Sequence, residues 1–113
     1  MHELSITQNI LDLVLKKAEE ADAKEIKKIN LVIGKMTGIV EDCVQFYFTL
    51  LSKGTPAENT TIAFNMVSPQ AKCRDCGKSF ELKEDDFTCP YCHGGSLEII
   101  AGKELFVESI EVE

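Results

Sequence analysis

The 113-residue chain carries 12 Lys+Arg against 19 Asp+Glu, a formal net charge of −7, with 44% hydrophobic and 27% charged residues. That composition fits one small globular domain, or one domain with an appendage, and excludes disorder throughout the chain. The acidic balance argues against a phosphate-tracking surface, because nucleic-acid binding depends on clustered cations. No apolar run approaches the ~20 residues that cross a bilayer. The opening Met-His-Glu-Leu-Ser-Ile lacks the basic segment, apolar run and cleavage site of a signal peptide, so a cytoplasmic protein with no membrane association is expected.

From Leu4 to Ala21 the apolar residues Ile6, Ile10, Leu13, Val14, Ala18 and Ala21 recur at helical spacing, which predicts an amphipathic helix. Ser5 followed by Gln8 fits a capping box and leaves a stub of about four residues ahead of the helix. Ile29, Leu31 and Ile33 then alternate with Lys28, Asn30 and Val32, a strand pattern that Gly34 ends. A second helical stripe comprises Val40, Cys43, Val44, Tyr47, Phe48 and Leu51, with Gly54 to close the helix and Pro56 to prevent its resumption. On this stripe Cys43 is expected to be a buried, inert thiol. Ile62, Phe64 and Met66 alternate as a further strand. The last strand, Lys103 to Val112, changes parity between Leu105/Val107 and Ile110/Val112, which predicts a β-bulge near Ser109.

The expected fold is α+β: a small mixed three-stranded sheet packed with two helices, plus an inserted module. Residues 69–102 form that insertion. They shift to Cys, Gly and charged residues between Pro69 and Gly102, and leave residues 1–68 and 103–113 as one α/β domain. The acidic run Glu84-Asp85-Asp86 within the insertion reads as a solvated turn.

The insertion holds four of the five cysteines, as Cys73-Arg-Asp-Cys76 and Cys89-Pro-Tyr-Cys92. Reducing compartments disfavour a disulfide framework, so clustered cysteines point to metal or redox chemistry. Two C-x-x-C pairs on facing turns supply four thiolates in tetrahedral geometry, the ligand set of a structural Zn²⁺ ribbon. Gly77 and Gly94-Gly95 give backbone amides room to turn toward the sulfurs, and Phe80, Leu82 and Phe87 offer a small apolar cover. A redox dithiol is the competing reading, although a single C-x-x-C at a helix start is its usual form. His93, directly after Cys92, could replace one cysteine. The mixture of Lys72, Arg74, Lys78 and Lys83 with acidic neighbours forms no basic face, so a nucleic-acid-binding ribbon is disfavoured. A closed four-ligand site has no open position for substrate, and no catalytic constellation is legible elsewhere. An enzyme is not expected.

His2 is one of two histidines in the chain. The Met1 amine, the His2 backbone nitrogen and the His2 imidazole can close adjacent chelate rings, and the Glu3 backbone nitrogen can complete a four-nitrogen plane. Planar nitrogen donors suit Ni²⁺ or Cu²⁺. Glu3 itself could act through its carboxylate, or equally be a favourable charge near a helix start.

The N-terminal Met-His-Glu, the helix directly after it and the late C-x-x-C…C-x-x-C insertion resemble the HypA family over essentially the whole chain. Gly34 also stands where that family usually has Gly at the end of its first long strand; His93 departs from the Gly common after the last cysteine. The resemblance implies a nickel metallochaperone for [NiFe]-hydrogenase maturation, and in some organisms for urease. It implies that His2, with the Met1 and Glu3 main-chain nitrogens, binds Ni²⁺ as cargo, while Cys73, Cys76, Cys89 and Cys92 hold Zn²⁺. The implied partners are a HypB-type GTPase, the hydrogenase large subunit and urease accessory proteins, with the chain itself a monomer or homodimer.

Overall fold

The computed structural model describes residues 2–83 and 86–113; Met1 and, from the acidic run, Glu84 and Asp85 lie outside them. Helix α1 (Glu3–Glu20) begins directly after His2, its N-cap residue, so the expected four-residue stub is shorter. The Ser5 hydroxyl donates to the His2 carbonyl at 3.0 Å and the Gln8 amide to Asp12 at 2.9 Å, so the capping box does not form. The buried face of α1 is Glu3, Thr7, Ile10, Leu11, Val14 and Ala18. Leu13, expected in the core, is 42% exposed. The stripe is rotated because Thr7 enters the core, its hydroxyl donating to the Glu3 carbonyl one turn back, the usual way a helix accommodates a buried threonine.

Strand β1 (Ile26–Gly34) leads through a short 3-10 turn (Lys35–Thr37) to helix α2 (Glu41–Leu51), which packs on α1. Val44 and Phe48 face the core, whereas Val40 is 51% exposed and Cys43 is exposed. The expected buried thiol is thus corrected: the core stripe runs through Val44 and Phe48, and Cys43 sits one position round the helix, on the outer side. Strands β2 (Thr61–Val67) and β6 (Leu105–Val112) flank β1 in the sheet order β2-β1-β6. Glu25 and Glu113 exchange backbone hydrogen bonds, and the Gly34 N–H donates to the Glu104 carbonyl at 2.7 Å, so β6 runs antiparallel to β1. The Ile26 N–H donates to the Pro56 carbonyl, and the Thr60 hydroxyl to the Ile26 carbonyl at 2.7 Å, so β2 enters beside the start of β1. The sheet is mixed, as expected.

The Glu25–Glu113 and Gly34–Glu104 pairs are equally spaced along the two strands, so β6 carries no net extra residue. Its change of parity, with Val107 and Ile110 half-buried, has a counterpart in β1, where Ile26 and Ile29 are both fully buried. The expected bulge near Ser109 therefore leaves no net offset between the two strands.

The insertion adds a second antiparallel sheet, β4-β3-β5, from β3 (Gln70–Cys73), β4 (Ser79–Glu81) and β5 (Leu97–Ala101). The chain divides into two compact units. One holds the described residues up to Val32 with Gly38–Asn65 and Phe106–Glu113; the other holds Ile33–Thr37 and the described residues of 66–105. Among the described residues no helix is long and apolar enough to cross a membrane.

Candidate metal centres

Two knuckles build the four-cysteine cluster. Cys73 ends β3, and its N–H and carbonyl bond Lys78 and Gly77 across the turn. Gly77 makes that turn with φ of 75°, a conformation that costs glycine little because it has no Cβ. In the second knuckle the His93 N–H donates to the Cys89 carbonyl, and the Cys89 N–H to the Gly94 carbonyl, each at 2.8 Å. Here the left-handed residue is His93, with φ of 62°, and not one of the following glycines. A Cβ at Gly94 would meet the Asp75 carboxylate at 2.8 Å and the Cys92 sulfur at 3.4 Å, the former the end of a flexible side chain that can shift. The Arg74 N–H bonds the Ser96 carbonyl at 2.9 Å and so ties the first knuckle to the exit of the second.

The sulfurs of Cys73 and Cys92 lie 3.5 Å apart, and those of Cys76 and Cys89 3.6 Å. All four fall within 4.8 Å of one another. A tetrahedron of metal–sulfur bonds of ~2.3 Å has edges of ~3.8 Å, so the cluster fits Zn²⁺ with small adjustments. His93 is exposed and contributes no ligand atom to this cluster. Burial raises the Cys89 thiol, but the N–H groups of Cys92 and Tyr91 and the adjacent thiols outweigh it and bring it down to about 7. The Gly94 N–H favours the Cys92 thiolate, yet Cys73, burial, Cys89 and Cys76 push that thiol up to about 12. Four neighbouring sulfurs cannot all ionise at neutral pH on their own, so a bound cation must displace protons from the cluster.

The expected aromatic cover is rearranged. Leu82 is buried, but Phe87 is 61% exposed. Tyr91 instead meets Phe80 edge-on at 6.5 Å, with the Lys78 ammonium 4.6 Å from its ring centre.

The N-terminal candidate site lies in the other unit. His2 is exposed at the start of α1 with ψ of 44°. That angle is the torsion from the His2 nitrogen to the Glu3 nitrogen, so the two amide nitrogens lie on the same side of the Cα–C bond, as a five-membered chelate ring requires. Met1, the source of the amine donor, lies outside the described residues. His2 also lines an open groove of about 520 Å³ with Leu4, Ser5, Gln8, Tyr47 and Leu51. No sequence pattern announces this groove, which depends on how α1 meets α2.

Glu3 does more than sequence reasoning assigned to it. It is 7% exposed, and its Oε2 accepts the Val40 N–H at 3.1 Å. The turn carrying His2 is thereby fastened to the start of α2, where the helix dipole favours a carboxylate. The Val40 N–H, and then the N–H of Glu3 itself, hold this carboxyl below the ordinary glutamate range. Because the folded-state pKa is the lower one, its stabilisation is present above the unfolded-state pKa and is lost as pH falls through the folded value. Glu3→Gln in the metal-free protein is therefore expected to lower the thermal midpoint at neutral pH, with the gap to the native chain closing as pH falls below the ordinary glutamate range. Melting curves across that range check it, and a gap that ignores pH would show that the charge is not what holds Val40.

Over residues 1–112 the chain matches the family described as HypA, "Hydrogenase/urease nickel incorporation, metallochaperone". It is similar to the hydrogenase maturation factor HypA of Dehalococcoides mccartyi, at 46% identity over all of this chain and 95% of that one. Its identity to the same factor of Caldanaerobacter subterraneus is 45% across the full length of both. To hydrogenase maturation factor HybF of Escherichia coli it is 36%, again over both whole chains. The solution structure of the Ni metallochaperone HypA from Helicobacter pylori shares the fold, with a TM-score of 0.68 at 21% identity, covering 99% of this chain and 97% of that one. A second solution structure of a HypA protein gives 0.76 at 21% identity, covering 100% and 97%.

Proposed function

The chain belongs to the HypA family of hydrogenase/urease nickel-incorporation metallochaperones, maturation factors and not catalysts, and from that membership we propose that it carries Ni²⁺ at its N-terminus. The donors are the Met1 amine, the backbone nitrogens of His2 and Glu3, and the His2 imidazole. The full-length family match carries this reading; the ψ of His2 and the anchoring of Glu3 on Val40 support it. Planar nitrogen donors suit Ni²⁺ better than Zn²⁺. Each backbone nitrogen must lose its proton to bind, so affinity falls as pH drops. The exposure of His2 lets the donors leave one at a time, which suits cargo that must be handed on.

Residues 1–68 and 103–113 form the nickel-carrying domain in this reading, and residues 69–102 the ribbon. Cys73, Cys76, Cys89 and Cys92 hold a resident Zn²⁺ that supplies folding free energy, its four thiolates leaving no position for a substrate. The recipient is the large subunit of [NiFe]-hydrogenase, and urease through its accessory proteins where that enzyme is present. A HypB-type GTPase is the partner in the cytoplasm.

A Ni²⁺ titration of the zinc-loaded protein tests the site. The authentic N-terminus is expected to bind one equivalent, which is lost both in a copy bearing one extra N-terminal residue and in His2→Ala, with folding retained in each. Equal binding by the extended copy would move the metal away from the amine and overturn the assignment.

A further inference from the structure

Helix α2 is apolar on two sides. Val44 and Phe48 fill the core, while Cys43, Phe46, Tyr47 and Leu50, at i, i+3, i+4 and i+7, make a second stripe on the outer side. Phe46 is 61% exposed, Leu50 is 48% exposed, and the rings of Phe46 and Tyr47 meet edge-on at 5.6 Å. A helix with apolar residues on both sides is normally covered on both. Tyr47 also belongs to the groove that holds His2 and Leu4, and Leu4 is itself 52% exposed. The outer stripe is therefore continuous with the proposed nickel terminus, on which this inference rests.

We propose that the outer stripe of α2, with Leu4, is a docking surface for a basic amphipathic helix of the protein that exchanges nickel with this chain. Helical anchors recurring at three and four residues match a stripe of this spacing, and aromatic side chains are the usual centres of such contacts. Charge sets the second requirement. Glu41 and Asp42 stand at one end of the stripe and Asp12 borders the groove through its bond to Gln8, in a chain of net charge −7. A partner helix with Lys or Arg beside its apolar side is complementary to that rim. A second copy of this chain is not: it brings another −7, and its docking here would close the groove over His2 from which cargo must leave.

The probes are two synthetic 18-residue amphipathic helices, one of Leu and Lys and one of Leu and Glu, titrated into the full-length zinc-loaded protein and followed by amide chemical shifts. The Leu/Lys helix is expected to bind, with shifts centred on Leu4 and residues 43–50, and at least about tenfold more tightly than the Leu/Glu helix. Phe46→Ser and Leu50→Ser, which leave the charge and the core unchanged, are each expected to weaken binding about tenfold. Binding that survives both substitutions would reduce the effect to bulk charge and overturn the proposal. Concentration-dependent dimerisation of the native chain that Phe46→Ser abolishes would overturn it too, by giving the stripe to a second copy. Stoichiometric Ni²⁺ binding is read in the same samples: its loss in native protein sinks the nickel assignment, whereas its retention without helix binding sinks only the docking surface.

Discussion

Serine at Cys76 or Cys89 is expected to take the zinc content from about one ion per chain to near zero and to unfold the second unit, because four-thiolate sites hold small ribbons together. The expectation rests on how little else is buried there. Among its described residues the buried hydrophobic side chains are Ile33, Ala71, Cys73, Leu82 and Cys89, and two of these are ligands of the cluster. A core of that size does not offset the conformational entropy of some forty residues, so in the proposed zinc-loaded state the metal supplies the difference, ~10–16 kcal/mol in comparable zinc peptides at neutral pH. Protons sharpen the loss. Each thiol must lose its proton to bind, so acid competes directly with the cation. Metal analysis of both variants, with limited proteolysis between residues 69 and 102, checks the outcome. Cleavage is expected there and not within α1 or α2. Unchanged zinc in both variants would contradict the four-cysteine ligand set.

The four-cysteine cluster was legible because short-range spacing alone nearly determines it: Cys73/Cys76 and Cys89/Cys92 each sit across one turn. Both helices were legible too, since a 3.6-residue period over eleven to eighteen residues has few alternatives. The phase of α2 was not. Cys43, Val44, Tyr47 and Phe48 carry two adjacent apolar stripes, and only the packing of α1 on α2 decides that Val44 and Phe48 turn inward. The hidden phase is also what left Phe46 and Leu50 unremarked as surface. The partner of Glu3 was hidden for a similar reason: the Val40 N–H lies 37 residues away, and no local pattern announces it. In the second knuckle the left-handed residue is His93 and not a glycine, which the spacing of the motif does not announce. Histidine is among the residues that visit that region more readily than most.

Gly34 shows how a residue can be picked out by sequence for an incomplete reason. Its place at the end of β1 suggested a strand terminator, yet the structure gives a steric cause. A Cβ at position 34 would lie 2.1 Å from the carbonyl carbon and oxygen of Gly102 and 2.5 Å from the Lys103 nitrogen. All three are backbone atoms, so no side chain can swing aside. The same stretch is held by the Gly34 N–H to Glu104 at 2.7 Å and the Met36 N–H to Gly102 at 2.8 Å, and relieving the clash would break both. Gly34→Ala is therefore expected to destabilise the zinc-loaded protein by about 3 kcal/mol or more, the upper range for forced overpacking. Gly95→Ala is the matched comparison. Nothing lies within 4 Å of its added Cβ and its φ is outside the left-handed region, so the change is expected to stay within about 0.5 kcal/mol. Urea denaturation of the two variants separates a steric requirement from a general intolerance of alanine. Equal stability of the two would mean that the backbones near Gly34 and Gly102 part at little cost, and that ending the strand is sufficient reason for the glycine.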